Sequence, residues 1–292
     1  MTFAEWVAEA SRLLTAAGRD ERESRLDAAL LARWHLGWPM ARWLVNLGEQ
    51  APADFAAAVA PLLARRARAE PIAYLTGERE FFGRTFRVTP DVLIPRPETE
   101  LVVEEALACV TKLRTDSANL PPPLVLDVGT GSGCIAITIA LEQPPVRVVA
   151  TDISDAALAV AMDNARRLDA ADRVTFRHGP LMADWNEPAD LIVSNPPYVA
   201  GADRGALPDD VVRYEPATAL FGGEDGLDVI RALIPAAAAA LVPGGWLVME
   251  VGLGQADEVQ RLIRDAPGLD VVRLRADLQR ILRVVVARRS ES

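Results

Sequence analysis

The chain has two cysteines and two histidines in 292 residues. Cys109, Cys134, His35 and His178 fall into no metal-ligand spacing, and two cysteines build no disulfide framework. We therefore expect neither a bound metal nor a disulfide-stapled scaffold. Lysine is almost missing as well: Lys112 stands alone, and the other basic residues are arginine, which a base-composition bias in the coding DNA explains as well as function does. Long hydrophobic runs are also lacking. The most apolar stretch, Ile234 to Gly254, is interrupted by Pro235, Pro243, Gly244 and Gly245 and reads as a helix end, a turn and a strand, not a membrane span. The first ten residues carry Glu5 and Glu9 and no apolar run of signal-peptide length, which points to a cytoplasmic protein without a membrane anchor.

What the chain does have is core-forming material. Half of its residues are apolar and a quarter charged, as in a folded globular protein, and its length suits two units at roughly 150 residues per domain. The net charge of −10 is unevenly spread: residues 1–96 carry +1 and the remainder −11. An acidic C-terminal two-thirds repels a nucleic-acid backbone, so we expect no direct nucleic-acid partner.

From Phe3 to about Arg68, apolar residues recur at three and four (Phe3, Trp6, Val7, Ala10, Leu13, Leu14; then Leu26, Ala29, Leu30), with breaks at Gly18, at Gly37 with Pro39, and at Ala51 with Pro52. This predicts a small bundle of short helices over residues 1–73. Arg65, Arg66 and Arg68 read as a solvated helix face, with a partner contact as the alternative. Residues 74–97 change character: Phe81, Phe82, Phe86, Val88 and Val92 to Ile94 flank Gly83 and Pro90, suggesting a β-hairpin that links two domains. After a helix from Glu98 to about Lys112 and a polar, proline-rich connection from Arg114 to Pro123, short β-type runs alternate with helical stretches to the end. The fold class expected for residues 98–292 is thus α/β, a mainly parallel, doubly wound sheet of Rossmann-like type whose ligands sit at the carboxyl ends of its strands.

Three of those strand ends carry chemistry. The first runs into Gly129-Thr130-Gly131-Ser132-Gly133, where glycines permit a tight turn and close backbone approach to a ligand. A dinucleotide fingerprint wants glycine at 134, where Cys134 stands, so the spacing fits a loop beside S-adenosylmethionine better than a pyrophosphate cradle. The second ends at Asp152, a carboxylate able to accept both hydroxyls of a ribose, with Ser154 better placed to cap the next helix. The fourth ends in Asn195-Pro196-Pro197-Tyr198. Two prolines stiffen the backbone and remove two donors. The Asn195 side chain and the Pro196 carbonyl can then accept both hydrogens of one planar NH₂ group while Tyr198 packs on its face. Such a grip orients a reluctant nitrogen toward a methyl donor and needs no separate strong base.

These residues, together with Pro71 to Glu78, Phe81-Phe82-Gly83, Leu93 to Glu100 and Arg213-Tyr214-Glu215-Pro216, make the chain resemble the HemK/PrmC family of N5-glutamine methyltransferases over residues 1 to 290. The resemblance implies a class I S-adenosylmethionine-dependent sheet behind an N-terminal helical substrate-recognition domain. It implies methyl transfer to the side-chain amide of the glutamine in the Gly-Gly-Gln motif of class I peptide-chain release factors, tuning translation termination. We expect a monomer. The family's cofactor positions fall on Gly129 to Gly133, Asp152, Trp185 (in Asp184-Trp185) and Asn195. Its substrate contacts fall on Asn195, Pro196, Pro197 and Tyr198, of which Asn195, Pro196 and Tyr198 are the catalytic set. Arg96, Glu98 and Glu100 lie at the domain junction, where a peptide-channel role and a structural ion-pair role both stay open. Asp277 to Arg280 lacks the glycine usual between the last two strands of the family.

Two other readings compete. An N6-adenine DNA methyltransferase also uses Asn-Pro-Pro-Tyr, but it calls for a basic cleft and a target-recognition domain. A non-catalytic adaptor that keeps only cofactor binding is opposed by the intact Asn195 and Tyr198.

Overall fold

A computed structural model describes residues 1–116, 121–182 and 185–291; part of the 114–123 connection and Asp184 thus lie outside the described residues. The chain divides into two compact units, Met1–Glu78 with Pro208–Tyr214, and Arg79–Leu207 with Glu215–Ser292.

The first unit holds the helices Phe3–Ala16, Glu21–His35, Met40–Val45, Phe55–Ala67 and Ile72–Thr76. Thr2 and Glu5 form a reciprocal capping box at the start of the first, and Asp20 caps the second by accepting the Glu23 amide at 3.0 Å. The apolar stripes meet in a core in which Phe55 packs edge-on against Phe3 and Trp6, with ring centroids 5.2 and 5.1 Å apart. Each such pair contributes roughly 0.5–1.5 kcal/mol beyond its buried area. Arg68 is exposed and Arg65 half-exposed, as expected of a solvated face, but Arg66 is not. Arg66 is buried, its Nε 2.6 Å from Asp27 and its Nη1 3.8 Å from Asp210, while Arg65 pairs with Glu70. Arg19 approaches the same two aspartates at 3.7 and 3.5 Å. Buried charge needs neutralising neighbours, and here they arrive from other segments of the unit, the helix Asp209–Tyr214 included.

The second unit is built on strands β1 (Glu78–Phe81), β2 (Arg84–Arg87), β3 (Leu124–Val128), β4 (Arg147–Asp152), β5 (Val174–His178), β6 (Ala189–Ser194), β7 (Leu241–Glu250), β8 (Leu269–Ala276) and β9 (Leu282–Arg289). β1 and β2 form the hairpin, turned by Phe82 and Gly83, both with positive φ. The hairpin is not a free linker. Phe81 and Phe86 lie in the core of the second unit, and Asn164 both accepts the Arg87 amide (2.7 Å) and donates to its carbonyl (2.9 Å). The boundary between the compact units accordingly falls at Glu78/Arg79, within the 74–97 stretch.

The remaining strands form one sheet in the order β5-β4-β3-β6-β7-β9-β8, parallel through β7 and antiparallel beyond. Period-two alternation sends Val125, Leu191, Val193 and Val248 to one face, under the helices Glu100–Asp116 and Cys134–Glu142. Leu126, Ile192, Leu247 and Met249 go to the other, under Asp228–Ala240 and Ala256–Asp265. Pro243, Gly244 and Gly245 are absorbed as an irregularity: Ala189 pairs with Leu241, but Leu191 pairs with Trp246. Between β8 and β9, Arg280 takes the left-handed conformation (φ 65°) that a glycine would take freely. Asp277 stabilises this turn by accepting the amides of Gln279 and Ile281 at 2.8 and 2.9 Å.

Strand order reverses at β3, whose neighbours are β4 on one side and β6 on the other. The carboxyl ends of these strands therefore border a crevice, the usual ligand position in an open α/β sheet.

Candidate active site

A cavity of about 510 Å³ lies there, wholly within the second unit. Gly129, Thr130, Gly131 and Ser132 line it after β3, Asp152 at the end of β4, and Asn195, Pro196 and Pro197 after β6.

The glycine loop is held from below by Asp127, the penultimate residue of β3. Its Oδ2 accepts the Thr130 hydroxyl at 2.6 Å and the Ala136 amide at 3.2 Å, while Oδ1 has no partner among the described residues. Burial pushes this carboxyl up to about 7, against the pull of its hydrogen bonds from Thr130 and Ala136. The glycines have different tasks. A Cβ at Gly131 (φ 55°) would meet nothing within 4 Å, so its open side is cavity. A Cβ at Gly133 (φ 81°) would stand 2.8 Å from Ile137 Cδ1 and 3.1 Å from Ala161 Cβ. Gly133 does not line the cavity; it lets two helices pack.

Asp152 is a structural and a free acceptor at once. Oδ2 accepts the Gly131 amide and Oδ1 the Ser154 amide, each at 2.9 Å. A carboxylate has about four lone-pair positions, so two stay open toward the cavity. Ser154, not Asp152, caps the next helix, accepting the Ala157 amide at 3.1 Å. Space beside Gly131 and an anionic acceptor with spare capacity suit the ribose and chain of S-adenosylmethionine.

At the end of β6, the Ser194 hydroxyl donates to the Val128 carbonyl at 2.7 Å and locks this strand end to that of β3. Asn195 Nδ2 donates to Thr99 Oγ1 at 3.0 Å, which leaves Oδ1 as the amide's acceptor. The Pro196 carbonyl accepts no hydrogen bond among the described residues. The Pro197 carbonyl is not similarly open: a Cβ on Gly222 would sit 2.4 Å from it. Two acceptors with no donor among the described residues thus stand on consecutive residues of the cavity lining.

Two expected residues lie elsewhere. Tyr198 is not part of the cavity lining. Its hydroxyl donates to Glu250 Oε1 at 3.0 Å, and burial pushes its pKa upward. Trp185 does not line the cavity either; its indole packs against the core beneath the sheet, with the Arg177 guanidinium 5.0 Å from the ring centroid and Nε1 buried without a partner among the described residues. Conversely, Thr99 and Arg96 line the cavity. Arg96 is paired with the buried Glu215, whose Oε2 also accepts the Ile94 amide at 3.1 Å. Glu100 accepts the Phe82 amide at 2.8 Å. Glu250 is a buried carboxylate at the end of an apolar strand, and a lone charge in such a strand is the sequence signal that marks it.

Among the described residues no group of three or more His, Cys, Asp or Glu could hold a metal, and no helix is long and apolar enough to cross a membrane.

Family models match in two places: the methyltransferase small domain over residues 110–214 and the PrmC N-terminal domain over residues 5–77. The hMettl16 catalytic domain, solved in complex with MAT2A 3'UTR hairpin 6, shares the fold, with a TM-score of 0.53 at 19% identity over 79% of this chain and 82% of that one. The strand order with its reversed last strand is that of the class I methyltransferases, and the chain is an enzyme of this class. Two curated relatives define it further. The release factor glutamine methyltransferases of Koribacter versatilis (strain Ellin345) and Burkholderia pseudomallei (strain K96243) are 42% and 45% identical to it, each over 94% of both chains. The chain belongs to the release factor glutamine methyltransferase family.

Proposed function

We propose that this chain transfers a methyl group from S-adenosylmethionine to the side-chain amide nitrogen (N5) of the glutamine in the Gly-Gly-Gln motif of class I peptide-chain release factors. The observation that carries this reading is the pair of open acceptors, Asn195 Oδ1 and the Pro196 carbonyl, beside the glycine loop and Asp152.

When bound, S-adenosylmethionine supplies an electrophilic methyl on a sulfonium sulfur. The chain's own groups do the rest. Asp152 accepts the ribose hydroxyls, Gly129 to Ser132 let the backbone come close, and Asn195 closes the far side. An amide nitrogen is a poor nucleophile because its lone pair is delocalised. Asn195 and Pro196 accept its two hydrogens, turn the lone pair toward the donor and stabilise the positive charge that develops on nitrogen. Held in near-attack geometry, the reactants gain up to about 7–11 kcal/mol from orientation. The N–H grows acidic as nitrogen becomes tetrahedral, so the proton leaves without a dedicated histidine. Pro197 stiffens the corner, and Tyr198 supports it from behind through Glu250.

On this reading the chain acts as a monomer. It works in the cytoplasm, as two free cysteines suit a reducing compartment. Residues 1–73 take part in recognising the release factor, which needs more surface than one glutamine offers. Nucleic acid and membranes are not partners on this reading, in keeping with the −11 charge of the catalytic portion. The deciding experiment is mass spectrometry of a release factor incubated with the enzyme and S-adenosylmethionine. One added methyl on the Gly-Gly-Gln glutamine is expected, and an unmodified glutamine would overturn the reading.

A further inference from the structure

Glu250 ends β7 with 1% of its surface exposed, and no basic side chain pairs with it among the described residues. Burying an unpaired carboxylate is costly unless hydrogen bonds satisfy it, and an apolar residue would pack there as in the rest of the strand. What the carboxylate does is accept two hydroxyls. Its Oε2 takes the Thr99 hydroxyl at 2.7 Å, and its Oε1 takes the Tyr198 hydroxyl at 3.0 Å. Thr99, itself 2% exposed, accepts Asn195 Nδ2 at 3.0 Å. Donation thus runs one way, from Asn195 Nδ2 to Thr99 and from the Thr99 hydroxyl to Glu250 Oε2.

We propose that Glu250, acting through Thr99, is a positioning residue that decides which end of the Asn195 carboxamide faces the cavity. A carboxamide fits a pocket two ways round, because its oxygen and nitrogen differ little in size. In one orientation Asn195 offers an acceptor to the cavity, in the other a donor. The Thr99 hydroxyl donates to Glu250 Oε2, so its single hydrogen is committed there and Thr99 has only a lone pair left for Asn195. That lone pair selects Nδ2, and Oδ1 turns to the cavity. The reversed carboxamide would set two lone pairs against each other and present N–H to a substrate N–H. Burial raises the carboxyl's pKa, and its hydrogen bonds from Thr99 and Tyr198 oppose that rise.

This inference rests on the glutamine-amide reading above, so its test has one readout that needs no substrate. In the full chain, the Asn195 side-chain NH₂ is followed by ¹⁵N NMR, assigned by its loss in Asn195→Ala. Its hydrogens should exchange slowly in the wild type and about tenfold faster or more in Glu250→Gln and Thr99→Val, as expected when a protecting hydrogen bond is released. Equal exchange in all three would overturn the proposal, whatever the substrate. Kinetics with a release factor give the second readout. Glu250→Gln and Thr99→Val should lower kcat by about 10- to 100-fold with KM and donor Kd nearly constant, and Thr99→Ser, which keeps the hydroxyl, should restore most of kcat. Glu250→Gln added to Asn195→Ala should have no further effect. A full additional loss in that background, or equal falls in kcat and donor affinity, would mark Glu250 as a purely structural residue. A wild type that leaves the release factor unmodified would sink the substrate reading alone, since the exchange measurement still decides the role of Glu250.

Discussion

Asp152 and Gly131 are joined by a 2.9 Å hydrogen bond from the glycine amide to the carboxylate, so the ends of two neighbouring strands act as one piece. The same carboxylate keeps lone pairs for a ribose. Asp152→Ala should therefore weaken S-adenosylmethionine binding by about 10- to 100-fold, the loss of one or two charge-assisted hydrogen bonds. Calorimetry checks this, and an unchanged Kd would remove Asp152 from the binding site.

Asn195 carries the acceptor on which transfer depends. Asn195→Ala should cut kcat by about 10²- to 10³-fold, as removal of a single transition-state hydrogen bond does elsewhere, with only a modest change in donor Kd. Turnover at the wild-type rate would refute its role as amide acceptor.

Gly131 and Gly133 should separate in their effects. At Gly133 an added methyl meets Ile137 and Ala161, so Gly133→Ala should cost about 1–3 kcal/mol of stability for the overlap, on top of the roughly 1–2 kcal/mol of a left-handed alanine. At Gly131 it meets only open space, so Gly131→Ala should chiefly weaken donor binding, beyond the roughly 1–2 kcal/mol cost of a left-handed alanine. Urea unfolding and calorimetry on the two variants distinguish these outcomes.

Asp127 predicts a pH dependence. Its folded pKa, near 7, stands above the ordinary carboxyl value. A group raised in this way favours the fold when protonated: its contribution is complete below the unfolded pKa and is lost as pH rises through about 7. The stability of the wild type relative to Asp127→Asn should thus fall by on the order of 1 kcal/mol per pH unit from about pH 5 to pH 7. Urea unfolding at several pH values tests this, and a constant difference would show an unshifted carboxyl.

The strand alternation, the glycine loop, Asp152 and the Asn-Pro-Pro corner were legible because each depends on local backbone chemistry or on period-two patterning. Thr99 and Glu250 were not, since 96 and 151 residues separate Thr99 from its partners Asn195 and Glu250: the lateral order β6-β7 sets Asn195 beside Glu250, and Thr99 comes to them from the turn before the helix Glu100–Asp116. Trp185 is harder to read from sequence. An indole just past a strand reads as an adenine neighbour, yet here the apolar underside of the sheet takes it. Arg66 looked solvated because nothing nearby in sequence announced Asp27 and Asp210 as its company. Tyr198 stands in a recognisable motif, but the acceptor that draws its hydroxyl away from the cavity comes from another strand.

Asp210 reaches the first unit from residues 208–214, far downstream of the helices it joins. The ribosome has therefore released the whole of residues 1–78 long before the last carboxylate of the Arg19–Arg66 cluster exists. This ion cluster is complete only once the chain has been made past β6, so a fragment cut at Glu78 would keep two guanidinium groups with a single aspartate between them.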